Sequence, residues 1–301
     1  MKSIVIFGGA GFVGKHIIRR LVNKGFKIIV PYQNPTNEAK LRILGSLGQI
    51  ATFQFNKLDD PRILKVLETA DICLNLKTAW DTKITGYDES ILNFNDKLIN
   101  IINKNQNIRQ FIFFSGLGVD EKIKSARSAA ILNTEKMIHS SCDNSIIIRP
   151  GVIVGLGDNF LSKLIPIIKN FYVIPIFGSG KNKFQPVFID DVSLFVEKLI
   201  SEEINGKHTF ELAGPNIYSY KELYKNLSFD LHKKRIFIPI PMILAKIVVK
   251  IIEKTPFTPI TSEQLLLFET DNLVSNKYKN FNFLSIIAQD TRAIIKKIAE
   301  N

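Results

Sequence analysis

The chain has 301 residues, 46% of them hydrophobic and 23% charged, which suits one large α/β domain with a smaller appended lobe and excludes a disordered chain. Its two cysteines, Cys73 and Cys142, lie far apart and fit neither a zinc pattern nor a disulfide framework, so inert thiols in a reducing compartment are expected. The formal charge of +12 admits an anionic cofactor, an anionic membrane surface or an acidic partner. With no RNA-reading motif and no arginine-rich run, nucleic acid is the least favoured of its partners.

Only Met1-Lys2 precede the first apolar run, so no signal or transit peptide is expected. No run of roughly 18 apolar residues reads as a membrane span. Strands are predicted at Ser3–Phe7, Phe26–Pro31, Ile50–Phe55, Asp71–Leu76, Gln110–Ser115 and Ser145–Arg149. Their Ile/Val/Phe-rich, non-alternating runs are those of strands buried on both faces. Helices are predicted between them near Phe12–Lys24, Pro61–Glu68, Asp88–Lys104 and Ala126–His139. This alternation predicts an α/β fold, a doubly wound parallel sheet of the Rossmann type. After Pro150 the pattern loosens: Leu161–Lys169 and Asp191–Ser201 read as helices and Phe184–Ile189 as extended. His208–Leu212 reads as a strand returning to the main sheet. The expected division is a dinucleotide-binding domain over 1–150 and a smaller, partly interleaved C-terminal lobe over 151–301.

The first strand runs into Gly8-Gly9-Ala10-Gly11-Phe12-Val13-Gly14, which opens a helix. At this spacing the first glycine permits a tight turn and the second lets backbone approach a pyrophosphate. The third packs the helix against the sheet and leaves its N-terminus aimed at phosphate. Gly9 to Lys15 also spells most of a triphosphate-binding loop, but His16 stands where the magnesium-ligating Ser or Thr belongs. At the end of the second strand, Pro31-Tyr32-Gln33-Asn34-Pro35 offers neither an acid for a ribose 2′-hydroxyl nor an arginine for a 2′-phosphate. Lys15, Lys40 and Arg42 are the nearby cations, and the balance favours NADP(H) over NAD(H). The expected cofactor contacts are Gly8, Gly11, Phe12, Val13, Gly14, Gln33, Asn56, Leu76, Ser115 and Pro150. No metal site is expected.

The glycine spacing, the strand order and the turn Arg149-Pro150-Gly151 resemble the extended short-chain dehydrogenase/reductase superfamily. The resemblance implies catalysis by a Tyr and a Lys four residues later, on the helix after the fifth strand. That lysine and the cofactor lower a phenol pKa from about 10 to a usable range. Here Ser125 stands where the Tyr would be and Ala129 where the Lys would be, and none of the seven tyrosines has a lysine four residues on. Gly116 occupies the place of the supporting hydroxyl. A serine without an activating neighbour is too weak an acid to take over, so no catalytic residue is assigned.

A narrower resemblance rests on Pro31-Tyr32, Leu47-Gly48-Gln49, Trp80-Asp81-Thr82-Lys83, Gln185-Pro186-Val187 with Asp191-Val192, and Pro256-Phe257-Thr258-Pro259. These look like the nucleotide-binding accessory subunits of respiratory complex I (alpha-subcomplex subunit nine) and their bacterial relatives. The resemblance runs collinearly from about residue 3 to 275. It implies a tightly held dinucleotide without established turnover and membership of a respiratory or quinone-linked complex. It also implies a place at the cytoplasmic face of the inner membrane, or the matrix side in a mitochondrion. Two rivals stand beside it: an active NAD(P)H-dependent reductase or isomerase, including one in ubiquinone biosynthesis, and a basic RNA-binding scaffold. Gln33 departs from the family's pattern, which carries an arginine there. On local grounds Asp191 reads as an N-terminal helix cap, and Gln185-Pro186 either as the shaper of a crossover between lobes or as a neighbour of the nicotinamide end. Trp80 reads equally as a cap on the sheet or as lining a ligand cleft.

Finally, Pro239 and Pro241 introduce a helix over Met242–Lys254 whose Lys246, Lys250, Glu253 and Lys254 share one face. The rest of its surface is Ile, Leu and Val. Six Lys/Arg oppose two acids between Asp230 and Lys254. Such a helix either packs its apolar face on the second lobe or lies in a membrane interface or against a partner.

Overall fold

The computed structural model describes residues 2–34, 38–78, 86–105, 107–119, 125–253 and 260–300. Pro35, Trp80-Asp81-Thr82-Lys83, Lys122, Lys124, Lys254 and Pro256-Phe257-Thr258-Pro259 lie outside the described residues. The first half alternates as expected, with one short helix after the second strand beyond those predicted: β1 (Ser3–Phe7), α1 (Phe12–Asn23), β2 (Lys27–Tyr32), α2 (Glu38–Arg42), β3 (Ile50–Gln54), α3 (Pro61–Thr69) and β4 (Ile72–Asn75). A π-helical turn, Asp88–Asn93, then leads into α4 (Phe94–Asn105), followed by β5 (Gln110–Phe114), α5 (Ala126–Ser141) and β6 (Ser145–Pro150). Among the described residues, seven strands form one sheet in the order β11-β6-β5-β4-β1-β2-β3, where β11 is His208–Leu212. Every pairing in it is parallel. The order reverses between β1 and β4, the topological switch point at which such sheets open a crevice.

Alternate strand residues face opposite layers, because successive side chains of a strand point to opposite faces. Ile4, Ile6, Ile28, Val30, Leu74 and Ile148 join the core shared with α1 and with α7 (Ile189–Ser201). Val5, Phe7, Cys73, Phe111 and Phe113 join the core under α3, α4 and α5. Both cysteines are buried and free. Burial raises both thiol pKa values, Cys142 to about 11, which keeps them protonated.

A third hydrophobic cluster is built on α6 (Leu161–Asn170), α8 (Tyr220–Asp230) and α11 (Thr291–Glu300), around Leu161, Ile168, Phe184, Leu223 and Ile295. Two short pairs, β7 (Ile153–Val154) with β10 (Val187–Phe188) and β9 (Lys183–Phe184) with β12 (Tyr218–Ser219), lie outside the main sheet. β8 (Val173–Phe177) pairs in parallel with β13 (Ile236–Ile240), which leads through Pro241 into α9 (Met242–Ile252). β11 returns to the main sheet beside β6, so a strand from the second half of the chain completes the sheet. Gln185 reinforces that pairing. Its side-chain amide donates to the Gly214 carbonyl at 2.7 Å, and a Cβ on Gly151 would lie 2.1 Å from the Gln185 carbonyl oxygen.

Two local expectations need correction. Asp191 does not cap α7, whose capping residue is Phe188 with no side-chain bond. Instead the buried Asp191 carboxylate accepts from the Gln289 backbone and side-chain N–H groups at 2.8 and 2.9 Å, tying the C-terminal segment to the sheet layer. The second concerns α9, which does not bury its broad apolar face on the second lobe. Ala245 and Val249 are buried against Leu265, with half-buried Met242 packed beside them, and most of the remaining aliphatic side chains stay exposed.

Candidate functional site

The expected contact residues all fall at the carboxyl edge of the one parallel sheet. Gly8 follows β1, Gln33 follows β2, Asn56 lies just past β3, Leu76 follows β4, Ser115 follows β5 and Pro150 ends β6. Gly8 and Leu76 flank the switch point itself. Gly8 has φ +77°, and a Cβ there would sit 3.1 Å from the Leu76 carbonyl carbon and 3.2 Å from the Lys77 nitrogen. Glycine alone meets both demands.

The other two glycines of the motif divide the remaining work. A Cβ on Gly14 would fall 2.4 Å from the Gly9 carbonyl oxygen, so α1 packs on the loop only because the side chain is missing. A Cβ on Gly11 meets only the Gly8 carbonyl oxygen at 3.4 Å, so the surface there is open. Gly11 is also the N-cap of α1, with no side-chain bond to the first-turn amides and no acidic residue in that turn. Exposed backbone at Gly11 and the unspent N–H groups beginning at Phe12 and Val13 make a cradle that fits a phosphate.

Around the second strand the geometry is polar but already committed. Gln33 and Asn56 are exposed. Tyr32 Oη donates to Glu38 at 2.9 Å, raising the phenol pKa, and the same carboxylate pairs with Arg42 at 2.5 Å. Glu38 is thus spent on its neighbours, and Arg42 is partly neutralised. Lys15 is half-buried and Lys40 exposed.

Sequence reasoning missed Lys77, beside Gly8. Its ammonium lies 4.1 Å from the Phe94 ring centre, and burial lowers its pKa.

At the other end of the same edge, Ser125 is the N-cap of α5 and accepts from the Ser128 N–H at 3.0 Å. Its hydroxyl also donates to the Glu263 carboxylate of α10 (Ser262–Leu266). Ala129 is exposed and carries only a methyl group. Ser115 Oγ is buried without a hydrogen-bond partner among the described residues, as is Asn272 Oδ1. A cleft of about 100 Å³ lies here, lined by Gly116, Ser125, Arg127, Pro150, Glu263 and Asn272 among others. It is small beside the roughly 300–1,000 Å³ of a site for a drug-sized ligand. Arg127, buried in its wall, has its pKa lowered to about 10 by burial, partly offset by Tyr87 and Glu263. A wider depression of about 550 Å³ at Val22, Gly25, Gly45 and Gln49 lies at the far edge of the sheet, away from the glycine loop, and is open to solvent. No cluster of three His, Cys, Asp or Glu able to hold a metal occurs among the described residues.

Residues 4–213 match the NAD dependent epimerase/dehydratase family. The chain belongs to that family. Within it, the chain is similar to NADH dehydrogenase [ubiquinone] 1 alpha subcomplex subunit 9 of Mus musculus, at 29% identity over 86% of this chain and 69% of that one. The Arabidopsis thaliana protein of the same name is 25% identical over 94% of this chain and 73% of its own length. The fold also matches a Bacillus cereus UDP-glucuronic acid 4-epimerase solved with NAD (TM-score 0.75, 15% identity, covering 99% and 98% of the two chains). A human epimerase family protein solved with NADPH superposes at TM-score 0.68, with 16% identity and 99% of each chain covered. The resemblance to complex I subunits and the Rossmann-type fold both stand.

Proposed function

We propose that this family member is a dinucleotide-binding accessory or assembly protein of respiratory complex I or a related quinone-linked complex, without hydride-transfer turnover. The observation that carries the proposal is the asymmetry of the sheet edge. The glycine loop keeps an open phosphate cradle, while the position of the expected acid/base pair holds a helix cap, Ser125, and a methyl group, Ala129. The names of the mouse and Arabidopsis relatives support the choice of complex. In this reading residues 1–150 carry the cofactor and 151–301 form the second lobe. Gly8, Gly11, Phe12, Val13 and Gly14 hold the pyrophosphate, and Gln33, Asn56, Leu76, Ser115 and Pro150 flank the rest of the dinucleotide.

The bound cofactor is NADP(H). With Glu38 engaged by Tyr32 and Arg42, no acid is free at the end of β2 to take a ribose 2′-hydroxyl, whereas Lys15 and Lys40 supply positive charge nearby. No helix among the described residues is long and apolar enough to cross a membrane, so attachment to a membrane complex is peripheral in this reading.

One observation favours the rival reading of an active reductase or isomerase. Ser125, Glu263 and Arg127 form a polar cluster in the wall of the cleft. Purification of the chain from gently solubilised membranes of its native host separates the two. Accessory function predicts respiratory or quinone-pathway proteins co-purifying with it. Recovery as a free chain with robust cofactor-dependent turnover overturns the proposal.

A further inference from the structure

The outer face of α9 reverses the ordinary pattern of a surface helix. Ile243, Leu244, Ile247, Val248 and Ile251 are 52–75% exposed. They fall at i, i+1, i+4, i+5 and i+8, which makes one continuous stripe of the helix. The buried residues, Ala245 and Val249, lie on the opposite side. Lys246 and Lys250 sit between the two, along one margin of the apolar stripe. A helix exposed to water normally turns its charged side outward and its aliphatic side inward.

The strand pair leading into this helix repeats the pattern. Ile236 pairs with Val173 and Ile238 with Pro175, and all four are exposed on the two-stranded sheet. Phe171 and Tyr172, immediately before β8, are 60% exposed. Exposed Lys169, Lys233 and Lys234 border them in sequence, and the Ile236 N–H donates to the Tyr172 carbonyl at 3.0 Å, bringing the two ends together.

Of the acids of the region one is engaged elsewhere and one offsets a marginal lysine, which leaves Lys250 as the uncompensated charge of α9. Glu253 accepts from the Ser262 backbone and hydroxyl, and Glu269 pairs with Lys246 at 2.6 Å. Lys250 has no ion pair among the described residues.

We propose that α9 and the adjoining β8–β13 face dock on an anionic phospholipid bilayer. Exposed aliphatic side chains along the helix and on the strand pair that leads into it, aromatic residues beside β8 and lysines at the margin match the layers of a lipid interface: acyl chains, glycerol region and negative headgroups. An 11-residue helix cannot span the roughly 30 Å hydrocarbon core, so it lies in the plane of the surface. A protein partner is the poorer fit, because the α9 stripe carries no Trp, Tyr or Arg anchor and the exposed aromatics Phe171 and Tyr172 lie outside it, before β8. A second copy of this chain packed antiparallel on the stripe would set one lysine margin against another. The surface deepens the reading of a membrane-linked accessory protein, but it stands or falls separately from the glycine loop.

Flotation of the full chain tests it. Vesicles of phosphatidylcholine alone are compared with vesicles of equal parts phosphatidylcholine and phosphatidylglycerol. The chain floats with the anionic vesicles at low salt, stays behind with the neutral ones, and is partly released as salt rises. Ile247→Asp with Ile251→Asp abolishes flotation, and Lys250→Ala lowers partitioning roughly fivefold. All of these positions are exposed, so melting temperature and dinucleotide affinity stay at wild-type values. A wild type that ignores anionic vesicles, or a double variant that floats as the wild type does, overturns the proposal. A concentration-dependent dimer abolished by the same double substitution, without lipid binding, assigns the face to a second copy and also overturns it. Flotation lost while dinucleotide binding persists sinks this surface alone. Dinucleotide binding absent while flotation persists sinks the glycine-loop reading alone.

Discussion

The two ends of the sheet's carboxyl edge differ in what the fold itself demands of them. At the β1 end, packing enforces the binding geometry: Gly14 must lack a side chain for α1 to lie on Gly9, and Gly8 must turn with positive φ against Leu76. At the β5–β6 end, packing asks only for a capped helix, and Ser125 meets that demand by accepting from Ser128. A phenol and an ammonium at positions 125 and 129 are needed for proton transfer and for nothing structural. Such a pair can be lost while the fold and its glycine loop stay intact, which is the physical sense in which the proposed function separates binding from chemistry.

The largest expected effect probes the enforced end. Gly14→Val places carbon within 2.4 Å of the Gly9 carbonyl oxygen and separates α1 from the sheet, so soluble, cooperatively melting protein is lost. A folded Gly14→Val chain with wild-type melting breaks the claim that packing alone fixes this glycine.

Next comes the bracing beside the cleft. Buried Arg149 of β6 pairs with Glu135 of α5, donating from Nε at 2.9 Å, and lies 3.9 Å from Glu211 of β11. Arg149→Met leaves two buried carboxylates without their cation and costs about 3–5 kcal/mol of stability, measured by denaturant unfolding. A loss under about 1 kcal/mol shows that those carboxylates are solvated or protonated at little cost.

A third effect sharpens the contrast at the chemical end. Without its acid/base pair the wild type transfers hydride at least about 10²–10⁴-fold more slowly than a member carrying the pair, on sugar, steroid or quinone substrates alike. Turnover at ordinary enzymatic rates with added cofactor moves Glu263 and Arg127 into a catalytic role.

The smallest effect is one of pH. His139 bridges Ser145 at 2.9 Å and Thr209 at 3.0 Å, and burial lowers its pKa, with a partial counterweight from Glu135. A lowered folded pKa means that the unfolded chain binds more protons below about pH 6.5, so stability is full above that value and falls as pH drops through it. His139→Gln flattens the dependence, by less than about 1.4 kcal/mol per pH unit. A stability curve that rises on acidification through the same window contradicts the assignment.

The strands and the sheet edge were legible because they rest on local signals: apolar runs between helical segments and a glycine triplet between strand and helix. The six residues from Gly8 to Pro150 that mark the strand ends needed only the count of strands. What stayed hidden depends on partners far along the chain. Ser125 meets Glu263, 138 residues away, and Asp191 meets Gln289, 98 residues away. No local pattern reports either contact, and Asp191 at the start of an apolar helix mimics a cap. The capping boxes Ser219–Glu222 and Thr261–Gln264, by contrast, follow a local signature of Ser or Thr three residues before Glu or Gln. α9 shows the converse: its amphipathic pattern was visible, but which side faces inward depended on the small residue Ala245 and on Val249 meeting Leu265.

The central claim, a dinucleotide held by a chain that does not turn it over, rests most directly on titration calorimetry of the purified wild type with NADPH, repeated on Gly11→Asp. The account predicts one saturable site in the wild type. In Gly11→Asp, a carboxylate set against the pyrophosphate costs several kcal/mol, a loss of at least about a hundredfold, while melting stays unchanged because the space at Gly11 is open. Tighter binding of NADH than NADPH reverses the cofactor preference and leaves the cradle standing. A wild type that binds neither, or a Gly11→Asp chain that binds as well as the wild type, contradicts the account.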